Sequence, residues 1–402
     1  MESALEFEYW YFLAIPLFFG LGWFAARGDR RLSTRAPDHL SGAYFKGLNY
    51  LLNEQSDKAI DAFIEVVRIE PEAIELHFAL GSLFRRRGET ERAIRVHENL
   101  VERGDLDAEQ RAHALFELGQ DFLKAGLIDR AEDAFNRLEG TAYAGAASRL
   151  RLEIAQRTHD WPRVIDLARD GPVDPAFDTR RIVAHAFCEL AMESLKARRF
   201  EEARAHAHEA REAAPDHPRP AIVLGRIAFE QEAWAEAIRA WEPVAGRNPR
   251  YVALIARDWM EAGARDAGDQ GLRAAIARMQ RLEHAAESTD LVKAVAEAIA
   301  RLDGKPAAAQ WVRQILVTHP SLLGLQLLLD LSHQERAGAA GSAADMDEAA
   351  LRTLVRHQAE RMSRYVCSVC AFRAQHYYWQ CPGCNRWDSY SPLRTEELES
   401  AQ

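Results

Sequence analysis

The sequence predicts an all-α chain: a long array of paired helices, preceded by one membrane-spanning helix and closed by a small four-cysteine metal knuckle. Three observations carry this. Residues 9–26 contain no charge. Small and aromatic residues recur with a period near 34 between Gly47 and about residue 250. Two CxxC pairs lie between Cys367 and Cys384. The 402 residues suffice for an extended core rather than one small domain.

The N-terminal run, YWYFLAIPLFFGLGWFAA, is 18 residues long, and a bilayer-crossing helix needs roughly 17–25. Tyr9, Trp10 and Tyr11 stand at one end and Trp23 near the other, where amphipathic rings favour the headgroup level. Pro16, Gly20 and Gly22 are tolerated in such helices. Glu2, Glu6 and Glu8 precede the run, and Arg27, Arg30, Arg31 and Arg35 follow it. The positive-inside rule then places residues 1–8 in the periplasm, the span at 9–26, and the bulk of the chain in the cytoplasm. The rival reading, a cleaved signal peptide, needs a positive n-region where this chain is negative.

The middle of the chain, 38–336, is a repeat array. The first unit has Gly47, Tyr50, Ala59, Phe63 and Pro71; the second has Gly81, Phe84, Ala93 and Leu100. Gly47 to Gly81 and Ala59 to Ala93 are both 34 residues, the tetratricopeptide (TPR) length. A third unit has Gly119, Phe122, Ala131, Phe135 and Leu138, after a longer connection around residues 104–109. A weaker fourth runs through Trp161 to Ala168; a fifth has Ala191, Ala203, Ala207 and Pro215; a sixth has Gly225, Ala237, Trp241 and Pro249. Two antiparallel helices approach closely only where a small residue faces its neighbour, and large aromatics fill the gaps between. Proline after the second helix ends it, lacking the amide hydrogen. One hairpin cannot bury its apolar face alone, so the units stack and present a surface to partner proteins or peptides. Beyond about residue 250 the register degrades, while helical periodicity continues to about Arg336. His77, His97, His113, His185, His206 and His208 are scattered through these helices and read as surface or packing residues; none of the array reads as catalytic.

A small-residue linker, AGAAGSAA at 337–344, and a short helix from about Asp345 to Met362 lead to the knuckle at 363–395. There Cys367-x2-Cys370-x10-Cys381-x2-Cys384 pairs two tight turns that together complete a tetrahedral S4 site for iron or zinc. All four positions are taken, so such a site is structural, redox or recognitional rather than hydrolytic. Tyr377, Tyr378, Trp379 and Trp387 are expected to pack around it. The clustering and the odd fifth cysteine, Cys188, argue against a secreted disulfide framework; Cys188 reads as a small buried apolar residue. The net charge of −10 argues against non-specific nucleic-acid binding and a nucleic-acid zinc ribbon.

Read together, the anchor, the segments GLNYLLNEQSDKAIDAFIEVV, LGSLFRRRGETERAIRVHENL and LGQDFLKAGLIDRAEDAFNRL, and the ending YWQCPGCNRW resemble the lipopolysaccharide assembly protein B family of Gram-negative bacteria, along the whole chain. The resemblance implies a rubredoxin-like metal-binding domain at 363–395 with Cys367, Cys370, Cys381 and Cys384 as ligands to one iron ion, zinc being the alternative. It also implies a non-enzymatic, single-pass inner-membrane adaptor that brings the cytoplasmic lipid A pathway deacetylase to the membrane-bound AAA metalloprotease and so restrains lipopolysaccharide synthesis. Lipopolysaccharide assembly protein A and an inner-membrane sensor protein are further expected partners. A scaffold for lipopolysaccharide synthesis enzymes without proteolysis, and rubredoxin-like electron transfer, are the alternatives. One departure stands out: rubredoxin-type knuckles carry glycine after the second cysteine of each pair, where φ is positive, and here those positions are Ala371 and Asn385.

Overall fold

The computed structural model describes Trp23 and residues 45–50, 52–53, 55–69, 73–170, 178–282, 285–336, 343–362 and 364–400. The expected span at 9–26, Trp23 apart, lies outside them; among the described residues no helix is long and apolar enough to cross a membrane. The chain forms two compact units, residues 1–151 and 152–402.

In the first unit a helical turn at 45–50 precedes α1 (Ser56–Ile69), α2 (Ile74–Arg87), α3 (Thr90–Glu102), α4 (Ala108–Ala125) and α5 (Ile128–Asn136). Helix α6 (Ala144–Arg157) carries the chain into the second unit. The helix boundaries have local causes. Asp107 closes a capping box with Gln110 at the start of α4. Gly88 and Gly126, in left-handed conformations with φ of 85° and 77°, end α2 and α4.

The repeat register has a direct packing counterpart. A Cβ added at Gly47 or Gly119 would come within 2.6 Å of the Phe63 or Phe135 ring. At Gly81 and Gly225 it would run into His97 and Trp241. In each pair the glycine of the first helix receives the side chain 16 residues later in the second. Phe63, His97, Phe135 and Trp241 are accordingly all fully buried.

The second unit continues with α7 (Trp161–Asp170), α8 (Thr179–Lys196), α9 (Phe200–Ala213), α10 (Pro218–Glu230) and α11 (Trp234–Arg247). In the α8–α9 hairpin the paired positions are Ala191 and Ala207, both fully buried: two small residues replace the glycine–aromatic pair. Cys188, one turn earlier, is also buried, and burial pushes its thiol up to about 12. A 3-10 turn (Pro249–Leu254) leads to α12 (Ala256–Gln280), α13 (Thr289–Asp303), α14 (Lys305–Thr318) and α15 (Leu322–Arg336). The 34-residue register fades here because α12 is broken at Ala267–Gly268, where the backbone leaves helical φ/ψ. The chain doubles back so tightly that the Gly263 and Gly271 backbones meet, a hairpin of different geometry. Helix α16 (Ala343–Met362), two residues longer at its start than expected, precedes the knuckle. Strands β1 (Tyr365–Val366) and β2 (Arg373–Ala374) pair antiparallel, Tyr365 opposite Ala374, and α17 (Thr395–Ser400) follows.

Candidate metal knuckle and its seat on the array

The two-residue strands are too short to build a core, and the four cysteines take its place. Sγ atoms of Cys367 and Cys384, and of Cys370 and Cys381, are each 3.7 Å apart, and all four lie within 4.8 Å of one another. A tetrahedral ion with bonds of about 2.3 Å to sulfur requires S–S edges of about 3.8 Å. The cysteines therefore cluster as a metal site of the right size, and all four residues would hold the ion. The backbone amides of Val369 and Gly383 donate to the Cys367 and Cys381 sulfurs, each at 3.4 Å. A bound metal would supply the cross-link that so small a motif needs to fold.

Ala371 and Asn385 both have φ of 57°, the left-handed conformation anticipated after each second cysteine. Asparagine adopts it readily and alanine does not, so the first turn carries about 1 kcal/mol of strain. Tyr390 lies behind the cluster: its hydroxyl is 3.8 Å from the Cys381 sulfur and donates to the Phe372 carbonyl. Cys367 and Cys381 are buried, Cys384 half-buried and Cys370 exposed.

The knuckle is seated against the second unit's own helices. The Trp387 indole N–H donates to Gln156 on α6 at 2.6 Å, and its ring stacks on His185 of α8, centroids 4.3 Å apart and planes 11° from parallel. Trp379 stacks on Tyr251 of the 3-10 turn at 5.4 Å and 3°. Between the two indoles sits the Arg219 guanidinium, 5.4 and 5.5 Å from their centroids and 2.5 Å from the Glu189 carboxylate. Asp388 completes the seat: His185 Nε2 and His217 Nε2 approach its carboxylate at 3.0 and 3.1 Å. Its φ of 52° is a left-handed conformation aspartate tolerates better than most residues, and the seat holds it there.

His185, His217 and Asp388 have metal-ligand composition. Their protonation argues otherwise. The Arg219 guanidinium donates to His185 Nδ1 at 2.9 Å, and the Arg219 backbone N–H donates to His217 Nδ1 at 3.3 Å. Both Nδ1 atoms are therefore acceptors, both rings are the Nε2–H tautomer, and both donate to one carboxylate. A cation at Nε2 would force the ring protons onto Nδ1, against Arg219. The trio is a hydrogen-bonded clasp between knuckle and array. Burial lowers the His185 ring to about 4 despite the partial compensation of Asp388. Burial alone would raise the Asp388 carboxyl, but the two imidazole donors outweigh it and hold the group well below the usual carboxylate range.

The tail adds a second set of ties. Arg394 forms a bidentate pair with Asp290 of α13 at 2.8 Å, and the Tyr365 hydroxyl donates to the same carboxylate at 2.7 Å. Glu397 accepts from the Thr289 amide at 2.6 Å, and Glu396 accepts from the Leu322 and Leu323 amides. Two carboxylates thus occupy the N-termini of α13 and α15, where backbone N–H groups and the helix dipole favour negative charge.

The first unit has its own polar centre. Asp121, fully buried, binds His97 Nδ1 at 2.5 Å and Arg85 at 2.7 Å; Arg85 also pairs with Glu117 at 2.5 Å. Burial would raise the Glu117 carboxyl, but His113 and Arg85 hold it at about 2. Beside this network runs a half-exposed aromatic row. Phe78 of α2 stacks on His113 of α4 at 4.1 Å, His113 on Tyr143 at 5.4 Å, and Phe116 lies 5.1 Å from Tyr143.

Hairpins in a TPR register, ending in a tetrathiolate knuckle, define a repeat-array protein with a rubredoxin-type metal domain. Comparison with known families agrees: residues 365–392 match the rubredoxin metal binding domain, and 44–108, 78–147 and 188–250 match the tetratricopeptide repeat. Among curated proteins the chain is 31% identical to lipopolysaccharide assembly protein B of Escherichia coli K12 over 390 residues, covering 95% of this chain and 97% of the relative. It is 26% identical to the protein of that name from Haemophilus influenzae, over 96% and 98% of the two chains. The chain belongs to the lipopolysaccharide assembly protein B family. Solved TPR structures align only loosely, one being the C-terminal part of a TPR repeat-containing protein from Cytophaga hutchinsonii at 12% identity and a TM-score of 0.36, covering 67% of this chain and 98% of that one.

The four cysteines were found from the sequence, and Tyr377, Tyr378, Trp379 and Trp387 were expected to pack around them; Tyr377 packs against the cluster, Tyr378 is exposed, and both tryptophans turn instead to the array. Sequence reasoning read His185 and His97 as packing residues and missed their carboxylate partners. Position alone could have flagged His97, which stands 34 residues after Phe63 at the site where other hairpins place an aromatic ring.

Proposed function

We propose that this chain is a non-enzymatic adaptor of the bacterial inner membrane, held by residues 9–26 with its bulk in the cytoplasm, that restrains lipopolysaccharide synthesis. It delivers the lipid A pathway deacetylase to the membrane-bound AAA metalloprotease; lipopolysaccharide assembly protein A and an inner-membrane sensor protein are its further partners. Membership of the lipopolysaccharide assembly protein B family supports the pathway. The observation that carries the adaptor role is the half-exposed row Phe78, His113, Phe116 and Tyr143. Rings packed in a row across successive hairpins are a preformed platform for a client segment, as aromatic anchors are at protein interfaces. The anchor confines client and protease to one surface, which raises their effective concentration without new contacts. The knuckle, holding one iron ion through Cys367, Cys370, Cys381 and Cys384, or zinc in its place, fixes the C-terminal part of the array.

Two variants of the full chain test this. Phe116→Ala/Tyr143→Ala is expected to lose co-purification of the deacetylase while keeping its helical content and bound metal. Deletion of residues 1–26 is expected to leave a folded protein that no longer restrains the pathway. Full complementation by the soluble form contradicts the tethering argument.

A further inference from the structure

The exposed edge of the knuckle combines apolar tips with unbalanced positive charge. Val369, inside the first CxxC turn, is 61% exposed, and Phe372, just after it, 43%. A Cβ at Gly383 would lie 3.2 Å from the Phe372 Cβ, so the two metal turns meet under this ring. These side chains project from a loop that four sulfurs hold, and exposing them is a cost the fold does not need for its own packing.

The charge around them is also one-sided. Residues 361–387 contain four arginines and no aspartate or glutamate, in a chain whose net charge is −10. A loaded tetrathiolate carries about one or two negative charges, and even with Asp388 counted the segment stays net positive. Arg373 and Arg386 are exposed and make no ion pair among the described residues.

We propose that the knuckle docks onto an anionic bilayer surface through its exposed residues Val369, Phe372, Arg373 and Arg386, the apolar tips entering the interface while the guanidinium groups meet lipid phosphates. Apolar tips flanked by arginine are the chemistry of interfacial insertion. Lipid is favoured over an acidic protein segment by the uncharged run at 9–26, which keeps bilayer in reach of this chain. The inference rests on the reading of that run as an anchor.

The test is amide hydrogen exchange across 368–376 in the metal-loaded full chain, in phosphatidylethanolamine/phosphatidylglycerol nanodiscs, in phosphatidylethanolamine/phosphatidylcholine nanodiscs, and in detergent micelles. Exchange is expected to be about tenfold slower in the anionic discs than in micelles. The difference should shrink in the zwitterionic discs. Val369→Ser/Phe372→Ser should abolish it with metal content unchanged, and Arg373→Ser/Arg386→Ser should remove the preference for the anionic lipid. Equal exchange in discs and micelles by a chain that has entered the discs overturns the docking and leaves the anchor standing. Failure to enter the discs overturns the anchor reading and the proposal with it. Protection that survives in Val369→Ser/Phe372→Ser, or that appears only on adding a protein partner, also overturns it.

Discussion

Trp387→Ala isolates the seat of the knuckle from the knuckle itself. The indole makes no contact with the four sulfurs among the described contacts, yet it stacks on His185, borders Arg219 and donates to Gln156. Truncating a well-packed tryptophan costs about 3–5 kcal/mol, and Trp387 is only half-buried, which puts the packing loss near the lower end at about 3 kcal/mol. Gln156 is 8% exposed and keeps only its bond to the Leu152 carbonyl, so the orphaned amide oxygen adds about 1 kcal/mol. A total of about 4 kcal/mol shifts the docking equilibrium about a thousandfold. Because the tail ties at Asp290, Thr289 and Leu322 remain, the knuckle should leave its seat without leaving the array. Hydrogen exchange across 377–390 and the first turn of α10, in the metal-loaded full chain, reads this directly. It should accelerate by two to three orders of magnitude, with one ion per chain retained. Exchange within about threefold of the parent protein would show that the stack on His185 does not hold the domain in place.

Three further outcomes follow from the same geometry. Docking should weaken as pH falls. A free histidine takes a proton near 6.5, whereas the seated His185 ring resists until about 4, so the seated form is fully favoured above 6.5 and loses ground between those values. That gap is worth about 3 kcal/mol for this fully buried ring, and Asp388, whose carboxyl is lowered by docking, adds a loss in the same direction below its ordinary range. Titrated exchange of 377–390 that is flat from pH 7 to about 4.5 would contradict the tautomer assignment. Ala371→Gly should stabilise the loaded knuckle by about 1 kcal/mol, seen as slower metal loss to a chelator, because glycine adopts the left-handed turn without the alanine penalty. Stripping the metal, or Cys381→Ser, should unfold 364–392 and expose Trp379 and Trp387 while the helices of residues 73–170 keep their exchange protection; a metal-free quadruple cysteine mutant with wild-type regulation would refute the knuckle's role.

The repeat hairpins were legible because their cause is local and repeated. A 34-residue spacing of small residues is the imprint of helices that touch at Gly47, Gly81, Gly119 and Gly225. The cysteine site was legible for the same reason, since each thiolate pair is set by one short turn. Even the positive φ of Ala371 and Asn385 could be anticipated. The clasp could not. His185 and Asp388 are 203 residues apart, and His217 and Asp388 are 171 apart. Nothing in the local pattern of a helix says that a distant loop will bring a carboxylate to it. His97 shows an intermediate case: its register marks it as a core position, but only the fold supplies Asp121, and the pair then makes sense of a histidine where an aromatic ring is the rule. The break in α12 was seen only as a fading repeat, because Gly268 in a helical stretch reads as an ordinary weak point until the backbones of Gly263 and Gly271 are seen to meet.

The adaptor role is tested most directly by the cellular half-life of the lipid A pathway deacetylase, measured after synthesis is blocked, with this protein present and depleted and with the membrane metalloprotease active or inactive. Depletion should lengthen the half-life, and the effect should vanish when the protease is inactive. An unchanged half-life would contradict the adaptor and favour a scaffold that gathers lipopolysaccharide synthesis enzymes without directing any of them to degradation.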